Sequence, residues 1–258
     1  MRRIAIYGKG GIGKSTVSAN VTAAMADMGL TVMQVGCDPK SDSTKLLAKG
    51  GRKETVLNYL RDNGTVDLDG VITRGYGGSL CVECGGPKPG TGCAGRGIIA
   101  AFEALEDHDV IGEHSPDVIL YDVLGDVVCG GFAMPIRNGY ARDVFIVTSG
   151  EMMALYAASN IAEAVDNYAA DGYARLGGII LNARDVESED EIVAKAAAEM
   201  GTGVVMRIDR DPIVQECENR GVTVVEGAPD SRQAGLYRKL AERILELSED
   251  SEGGMRGT

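Results

Sequence analysis

With 258 residues, the chain is long enough to bury a full core as one α/β domain and too short to require two. A hydrophobic content of 44%, together with 36 glycines, is typical of a soluble globular protein with many tight turns. The formal net charge of -12 argues against nucleic acid as a main partner, because binding to phosphate backbones relies on lysine and arginine.

Short apolar runs recur along the chain at the spacing of alternating strands and helices. Because they lack period-two alternation, they are typical of strands buried on both faces of a sheet. The runs are RIAIYG, TVMQVG, SLCVEC, DVILYD, DVFIVTSG, LGGIILN and TGVVMRI. Helical patterns span residues 15–28, 96–106, 152–168, 189–200 and 231–247. This order predicts an α/β fold with a doubly wound, mostly parallel sheet over residues 1–247, followed by a disordered polar tail over residues 248–258.

The glycine-rich segment GKGGIGKS, residues 8–15, follows the first predicted strand and matches two patterns. Gly8, Gly10 and Gly13 fit the dinucleotide fingerprint, whereas the whole segment fits the P-loop pattern G-x-x-x-x-G-K-[ST]. The P-loop is the more specific match, because a dinucleotide fold has no use for Lys14 and Ser15 at these positions. In a P-loop, Lys14 would reach the β/γ-phosphates and Ser15 would hold magnesium. We therefore expect a nucleoside triphosphate site formed by Gly8, Lys9, Gly10, Gly11, Ile12, Gly13, Lys14, Ser15 and Thr16.

Two aspartate clusters follow predicted strands. GCDPKSDST contains Asp38, Lys40 and Asp42, and YDVLGD contains Asp122 and Asp126. Ligands bind at the carboxyl ends of strands in open α/β sheets. One carboxylate there suits the holding of magnesium or its waters, and a second suits the positioning or deprotonation of an attacking water. The alternative for Asp38 is a structural role at the start of a turn.

Three of the six cysteines fall within CVECGGPKPGTGCAGRG, residues 81–97. The N-terminus lacks the apolar stretch of a signal peptide, and no run approaches the roughly 20 apolar residues of a membrane span. We therefore expect a cytoplasmic protein without a membrane partner, whose reduced cysteines ligate metal or are buried. Cys81 and Cys84 form a C-x-x-C pair that suits half of a zinc or redox site, but no second pair completes it. Cys37 and Cys217 lack partners at ligand spacing and are expected to be buried.

Five segments together resemble the nitrogenase iron protein family: YGKGGIGKSTVSANV, GCDPKSDST, GGPKPGTGCAGRG, DVLGDVVCGGFAMPIR and SGEMMALYAASNI. The resemblance extends over about residues 3–247. It implies a P-loop NTPase of the deviant Walker A type, in which the extra loop lysine, here Lys9, reaches the nucleotide of the partner subunit.

The resemblance implies a homodimer that shares one [4Fe-4S] cluster, to which each subunit contributes Cys93 and Cys129. It further implies MgATP-gated one-electron transfer to a nitrogenase or nitrogenase-like catalytic component, with a ferredoxin or flavodoxin as the upstream donor. Arg96 resembles an arginine that is ADP-ribosylated in some organisms, and its alternative role is contact with the partner.

The resemblance also implies roles around the nucleotide. Asp42 lies in the first switch, and residues 122–131 form the second switch, which joins the γ-phosphate to Cys129. Asp126 is the candidate for orienting or activating water, and Asp122 belongs to the nucleotide site. The implied catalytic residues are Lys9, Lys14, Asp38, Lys40 and Asp126. The positions implied near the adenosine are Asn182, Gln215, Glu218 and Gln233.

Four positions differ from the usual family pattern. Lys88 replaces an acidic residue, Tyr140 replaces a lysine used in docking, Asp209 replaces proline, and Cys84 replaces serine. These changes concern the identity of the partner more than the ATP and cluster chemistry, because charges at an interface rim govern encounter and specificity.

Two alternative functions follow from the same residues. One is a reductase component for a tetrapyrrole or another substrate that is not dinitrogen. The other is a non-redox P-loop ATPase, either of the partitioning type or a scaffold for cluster delivery. The presence of both Cys93 and Cys129 favours the redox function.

Overall fold

The computed structural model describes residues 1–49, 51, 54–87, 94–125, 133–169 and 172–248. Its strands are β1 Arg2–Gly8, β2 Val32–Gly36, β3 Thr73–Arg74, β4 Leu80–Glu83, β5 Val118–Asp122, β6 Asp143–Thr148, β7 Arg175–Asn182 and β8 Val204–Ile208. Its helices are α1 Lys14–Asp27, α2 Val56–Asn63, α3 Leu68–Val71, α4 Ala94–Asp107, α5 Val110–His114, α6 Met134–Arg137, α7 Met152–Ala169, α8 Glu189–Glu199, α9 Pro212–Asn219, α10 Val224–Gly227 and α11 Arg232–Leu247. A short 3₁₀ helix covers Tyr76–Gly78.

The strands form one eight-stranded sheet in the order β3-β4-β2-β5-β1-β6-β7-β8. Only the β3–β4 pair is antiparallel among the described strand pairs. The predicted doubly wound, mostly parallel sheet is therefore confirmed. The chain winds outward from β1 in both directions, so the carboxyl end of β1 lies at a topological switch point, where open α/β sheets bind ligands.

Helices cover both faces of the sheet, and alternate residues of β1 supply the two cores. Ala5 and Tyr7 pack with residues of α4 and α7 on one face. Ile4 and Ile6 pack with residues of α1 and α11 on the other. All four side chains are 0% exposed, which explains the unbroken apolar run in the sequence. None of the described helices is long and apolar enough to cross a membrane.

The C-x-x-C pair is divided by the sheet. Cys81 lies on β4 and packs into the core beneath α1. Cys84 follows the same strand and packs into the opposite core. Side chains of a strand alternate between faces, so two cysteines three positions apart point in opposite directions. The two thiols therefore do not share one site, and the expected burial of Cys37 and Cys217 is confirmed.

Tyr140 is buried rather than exposed for docking. Its hydroxyl donates to Glu106 Oε2 at 2.5 Å, and its ring meets Phe102 edge-on at 4.8 Å between centroids. The expectation that this departure from the family pattern lies on a partner-contacting surface is wrong. An aromatic ring fills the space against α4, where a lysine would have to extend its ammonium group to water.

Candidate nucleotide site

The P-loop connects the end of β1 to the start of α1. Gly11 and Gly13 have φ angles of 77° and 93°, which lie in the left-handed region that favours glycine. Gly8 also has no space for a side chain, because a Cβ there would lie 2.5 Å from the carbonyl oxygen of Val147. The 14-residue helix α1 has no side-chain cap and no acidic residue in its first turn. Its positive end is therefore suited to an anion.

A cavity of about 880 Å³ opens over this loop. It brings together most of the residues that the sequence analysis selected: Lys9, Gly10, Gly11, Gly13, Lys14, Ser15, Thr16, Asp38, Lys40, Asp42, Asn182, Gln215, Glu218 and Gln233. Gly8 and Ile12 do not line it, and the side chain of Ile12 packs into the core. Asp126, Cys93, Cys129 and Lys88 lie outside the described residues. Arg96 is exposed in the first turn of α4, away from the cavity lining.

A buried ion pair lies directly below the cavity. Lys14 Nζ is 3.0 Å from Asp122 Oδ1, and Ser18 Oγ donates to the same oxygen at 3.3 Å. Asp122 ends β5, beside β1, and is fully buried. Its Oδ2 makes no hydrogen bond to any described residue. A buried carboxylate oxygen without a partner is costly, so water bound to magnesium fits here chemically.

The segment after β5 runs against the P-loop. A Cβ on Gly125 would lie 2.6 Å from the carbonyl oxygen of Gly8, so only glycine allows this approach. The beginning of the predicted second switch, residues 122–125, is thus in contact with the phosphate-binding loop. The rest of that switch lies outside the described residues.

The loop after β2 is shaped by Asp38. Its carboxylate accepts the backbone N–H of Lys40 at 2.9 Å, and its carbonyl accepts the N–H of Ser41 at 2.9 Å. Ser41 has a φ of 55°. The alternative role of Asp38 as the first residue of a turn is therefore confirmed, and the same turn directs Asp38, Lys40 and Asp42 to the cavity.

Asn182 and Arg184 support the P-loop from the end of β7. Asn182 Nδ2 donates to the carbonyl of Ile12 at 2.7 Å, and Arg184 Nη2 donates to the carbonyl of Gly11 at 2.7 Å. Asn182 also lines the cavity, and its place near the adenosine stays a prediction. Arg184 was not expected from the sequence. Its only signal is a position two residues beyond Asn182, at the same edge of the sheet.

Side chains from α9 and α11 close one end of the cavity. Glu218 accepts the hydroxyl of Thr16 at 2.6 Å, which ties α9 to α1. Gln233 donates to the carbonyl of Asp209 at 3.1 Å. Gln215 donates to Asn219 at 3.2 Å.

Asp209, which stands where proline is usual, is held by two arginines at the cavity rim. Arg207 Nε is 2.8 Å from Asp209 Oδ1, and Arg232 Nη2 is 2.6 Å from Oδ2. The hydrogen bond from Arg207 is the main cause of a lowered pKa of Asp209. The group is partly exposed, so the pairs contribute less than about 1 kcal/mol each to stability. They hold the Asp209 carboxylate in place at the cavity rim.

Comparison with known proteins extends these observations. A family model described as 4Fe-4S iron sulfur cluster binding proteins, NifH/frxC family, matches residues 2–252. The nitrogenase iron protein of Methanospirillum hungatei JF-1 is 52% identical over 249 residues, which are 95% of this chain and 88% of that protein.

Solved structures of cell-division ATPases share the fold. MinD of Pyrococcus furiosus has a TM-score of 0.72 at 24% identity and covers 96% of this chain and 100% of its own. The septum site-determining protein MinD of Pyrococcus horikoshii OT3, in complex with Mg-ADP, has a TM-score of 0.74 at 22% identity, with 96% and 97% covered. At these identities the likeness establishes the fold alone. The family match over nearly the whole chain goes further: this protein belongs to the NifH/frxC family of 4Fe-4S iron sulfur cluster binding proteins.

Proposed function

We propose that this protein is an ATP-dependent electron donor that couples MgATP hydrolysis to one-electron transfer from a [4Fe-4S] cluster to a nitrogenase or nitrogenase-like catalytic component. One observation carries the proposal. The carboxyl ends of β1, β2 and β5 bring the P-loop, the loop of Asp38 and Asp42, and Asp122 to one place. From Asp122 the chain continues through residues 123–128 to Cys129, so the nucleotide site and a proposed cluster ligand share one segment.

The P-loop residues would bind and orient the triphosphate. Backbone N–H groups of residues 10–15 and the Lys14 ammonium would hold the β/γ-phosphates, and Ser15 Oγ would bind magnesium. Arrival of the phosphates draws Lys14 away from Asp122, which frees that carboxylate to hold magnesium-bound water. Asp126 would orient the water that attacks the γ-phosphorus, with ADP as the leaving group.

The described cysteines are poor candidates for cluster ligands. Cys37, Cys81, Cys84 and Cys217 are all buried, and burial raises the pKa of Cys81 to about 12. Ligation needs thiolates, and the family match favours Cys93 and Cys129 of two copies of the chain as the ligands. When bound between them, a [4Fe-4S] cluster supplies one-electron chemistry. In this homodimer, Lys9 would reach the partner's nucleotide and Lys40 would act in the closed dimer, and a ferredoxin or flavodoxin would supply electrons.

A second candidate differs only in the partner. The burial of Tyr140, in place of a docking lysine, favours a catalytic component whose docking surface differs from that of the usual nitrogenase. A reductase component for a tetrapyrrole or another substrate that is not dinitrogen fits this observation.

Anaerobic purification and cluster reconstitution test the proposal. We expect a brown dimer with about four irons per dimer, an electron paramagnetic resonance signal after reduction, and MgATP hydrolysis. Cys93→Ala and Cys129→Ala should each abolish the signal, whereas the matched control Cys84→Ala should retain it. An iron-free dimer after reconstitution would overturn the proposal. MgATP-dependent oxidation by a nitrogenase component or by a tetrapyrrole-reducing component distinguishes the two candidates.

A further inference from the structure

The loop between Cys37 and Thr44 carries cavity residues but is fixed at both ends. At its start, the backbone N–H of Cys37 donates to the carbonyl of Asp122 at 3.0 Å. At its other end, Ser43 and Thr44 are 1% exposed and belong to a buried polar network. The part that can respond to a nucleotide is therefore residues 38–42.

Gln34 on β2 holds Ser43. Its amide Nε2 donates to the Ser43 carbonyl at 3.0 Å and to the Ser43 hydroxyl oxygen at 2.9 Å. Its Oε1 accepts the hydroxyl of Thr22 in α1 at 2.7 Å. The amide of Gln34 thus links the P-loop helix, the sheet and the end of the loop. Because these groups are buried, breaking one bond leaves a polar group without a partner, which makes the anchor stiff.

Glu83 on β4 holds Thr44. Glu83 Oε1 accepts both the backbone N–H and the hydroxyl of Thr44, each at 2.7 Å. The carboxylate is 4% exposed and lies above Gly36, where any Cβ would collide with it. Hydrogen bonds to a carboxylate are stronger than those between neutral groups. Glu83 therefore ties the loop to the strand that leads toward Cys93.

Between these anchors, Pro39 rests on Gly86. A Cβ on Gly86 would lie 2.5 Å from Pro39 Cβ and 2.9 Å from its Cα, so the two backbones touch. Pro39 stands between cavity residues Asp38 and Lys40. Gly86 is the third residue after β4, and the chain then continues toward Cys93.

We propose that the contact between Pro39 and Gly86 transmits nucleotide occupancy from the cavity to the segment that carries Cys93, and that Glu83 is a positioning residue for this contact. The inference rests on the proposed function and adds a second connection beside that through residues 122–129. Phosphate or magnesium contacts of Asp38 and Lys40 displace the turn between them. The anchors at Cys37 and Thr44 prevent the loop from absorbing that displacement, so Pro39 moves Gly86.

Hydrogen–deuterium exchange of the cluster-free protein, with and without MgADP or MgATP, tests this directly. In the wild type, nucleotide should change exchange both in residues 38–44 and in residues 87–97. Gly86→Ala, Pro39→Gly and Glu83→Gln should each reduce the response of residues 87–97 by at least about threefold, while residues 38–44 still respond. Gly235→Ala is the matched control, because a Cβ there meets no atom within 4 Å.

The double variant Gly86→Ala/Pro39→Gly provides a rescue. It removes the side chain of Pro39 and adds a Cβ at residue 86, so residue 86 now fills the space between the two backbones. The response of residues 87–97 should therefore return. Unchanged responses in Pro39→Gly and Glu83→Gln overturn the inference, as does a wild type that binds nucleotide without any response in residues 87–97. Neither result affects the proposed function, which fails instead if the wild type binds no cluster or no nucleotide.

Discussion

Cys37 and Cys84 lie side by side at the ends of β2 and β4, fully buried in the same core. The N–H of Cys84 donates to the carbonyl of Gly36 at 2.9 Å, and Cys37 Sγ lies 3.8 Å from the carbonyl of Val35. Burial, followed by the neighbouring Cys84 thiol, holds the pKa of Cys37 well above its usual range. The Cys37 side chain therefore remains a neutral thiol.

Thiol alkylation measures this burial. With a pKa of about 12, only roughly one in ten thousand Cys81 side chains is ionised at pH 8. Folded, cluster-free protein treated with iodoacetamide should carry no label at Cys37, Cys81, Cys84 or Cys217, whereas guanidinium-unfolded protein should be labelled fully at all four. Peptide mass spectrometry reads the result. Labelling of Cys81 or Cys84 in folded protein at the unfolded rate would contradict the structure.

The same pKa shift has a defined effect on stability. Above pH 9, the unfolded chain releases the Cys81 proton, but the folded chain retains it. The free energy of unfolding should therefore fall as the pH rises beyond that value and remain unaffected by this group at lower pH.

Among the secondary elements, α4 is held to the segment after α6 by Tyr140. Ring contact with Phe102 and the hydrogen bond to Glu106 join two stretches that follow the proposed cluster ligands in sequence. Burial and the hydrogen bond raise the pKa of Tyr140, so its hydroxyl stays a donor at neutral pH. Tyr140 therefore makes an internal contact between these two stretches.

Removal of the hydroxyl tests that contact. Tyr140→Phe retains the ring and loses the bond to Glu106, so we expect a loss of about 1 kcal/mol in the free energy of unfolding. For a domain of this size, Tm should fall by about 2–4 °C in a thermal melt. Tyr173→Phe is the control, because Tyr173 is 47% exposed, and it should leave Tm within about 1 °C. Equal Tm changes in both variants would show that the bond contributes nothing.

The long elements of this fold could be predicted from the sequence, and the short ones could not. Each apolar run became a strand of the parallel sheet, because burial on both faces demands continuous hydrophobicity. β3, Thr73–Arg74, is too short to leave a periodic pattern. The start of α9, by contrast, could have been predicted, because Asp211 followed by Pro212 is a typical helix start. In the structure Asp211 accepts the N–H of Ile213 at 2.9 Å, and Pro212 occupies the first turn.

At the scale of the whole molecule, the sheet order assembles a site from distant parts of the sequence. β1 lies between β5 and β6, so the P-loop meets Asp122 on one side, while β7 supplies Asn182 beyond β6. A motif predicted the P-loop because its spacing is local. Arg184, Glu83 and Gly86 have no local pattern, since their roles depend on contacts that only the tertiary structure creates. The P-loop and aspartate motifs therefore indicate residues that line the cavity, whereas the residues that support them leave no sequence pattern.

Gly13 in the P-loop lies against Asn182 at the end of β7, so this contact joins two parts of the proposed nucleotide site. Nucleotide bound there should raise the free energy of unfolding of the protein. MgADP at about 100 times its Kd adds about 2.7 kcal/mol to the free energy of unfolding, or roughly 5–10 °C in Tm. Gly13→Ala should abolish that shift, because its Cβ would lie 2.5 Å from Asn182 Nδ2. Gly201→Ala carries similar left-handed strain at a φ of 73° but meets no atom within 4 Å, so its lower Tm should still rise with MgADP. A full shift in Gly13→Ala would place the nucleotide elsewhere.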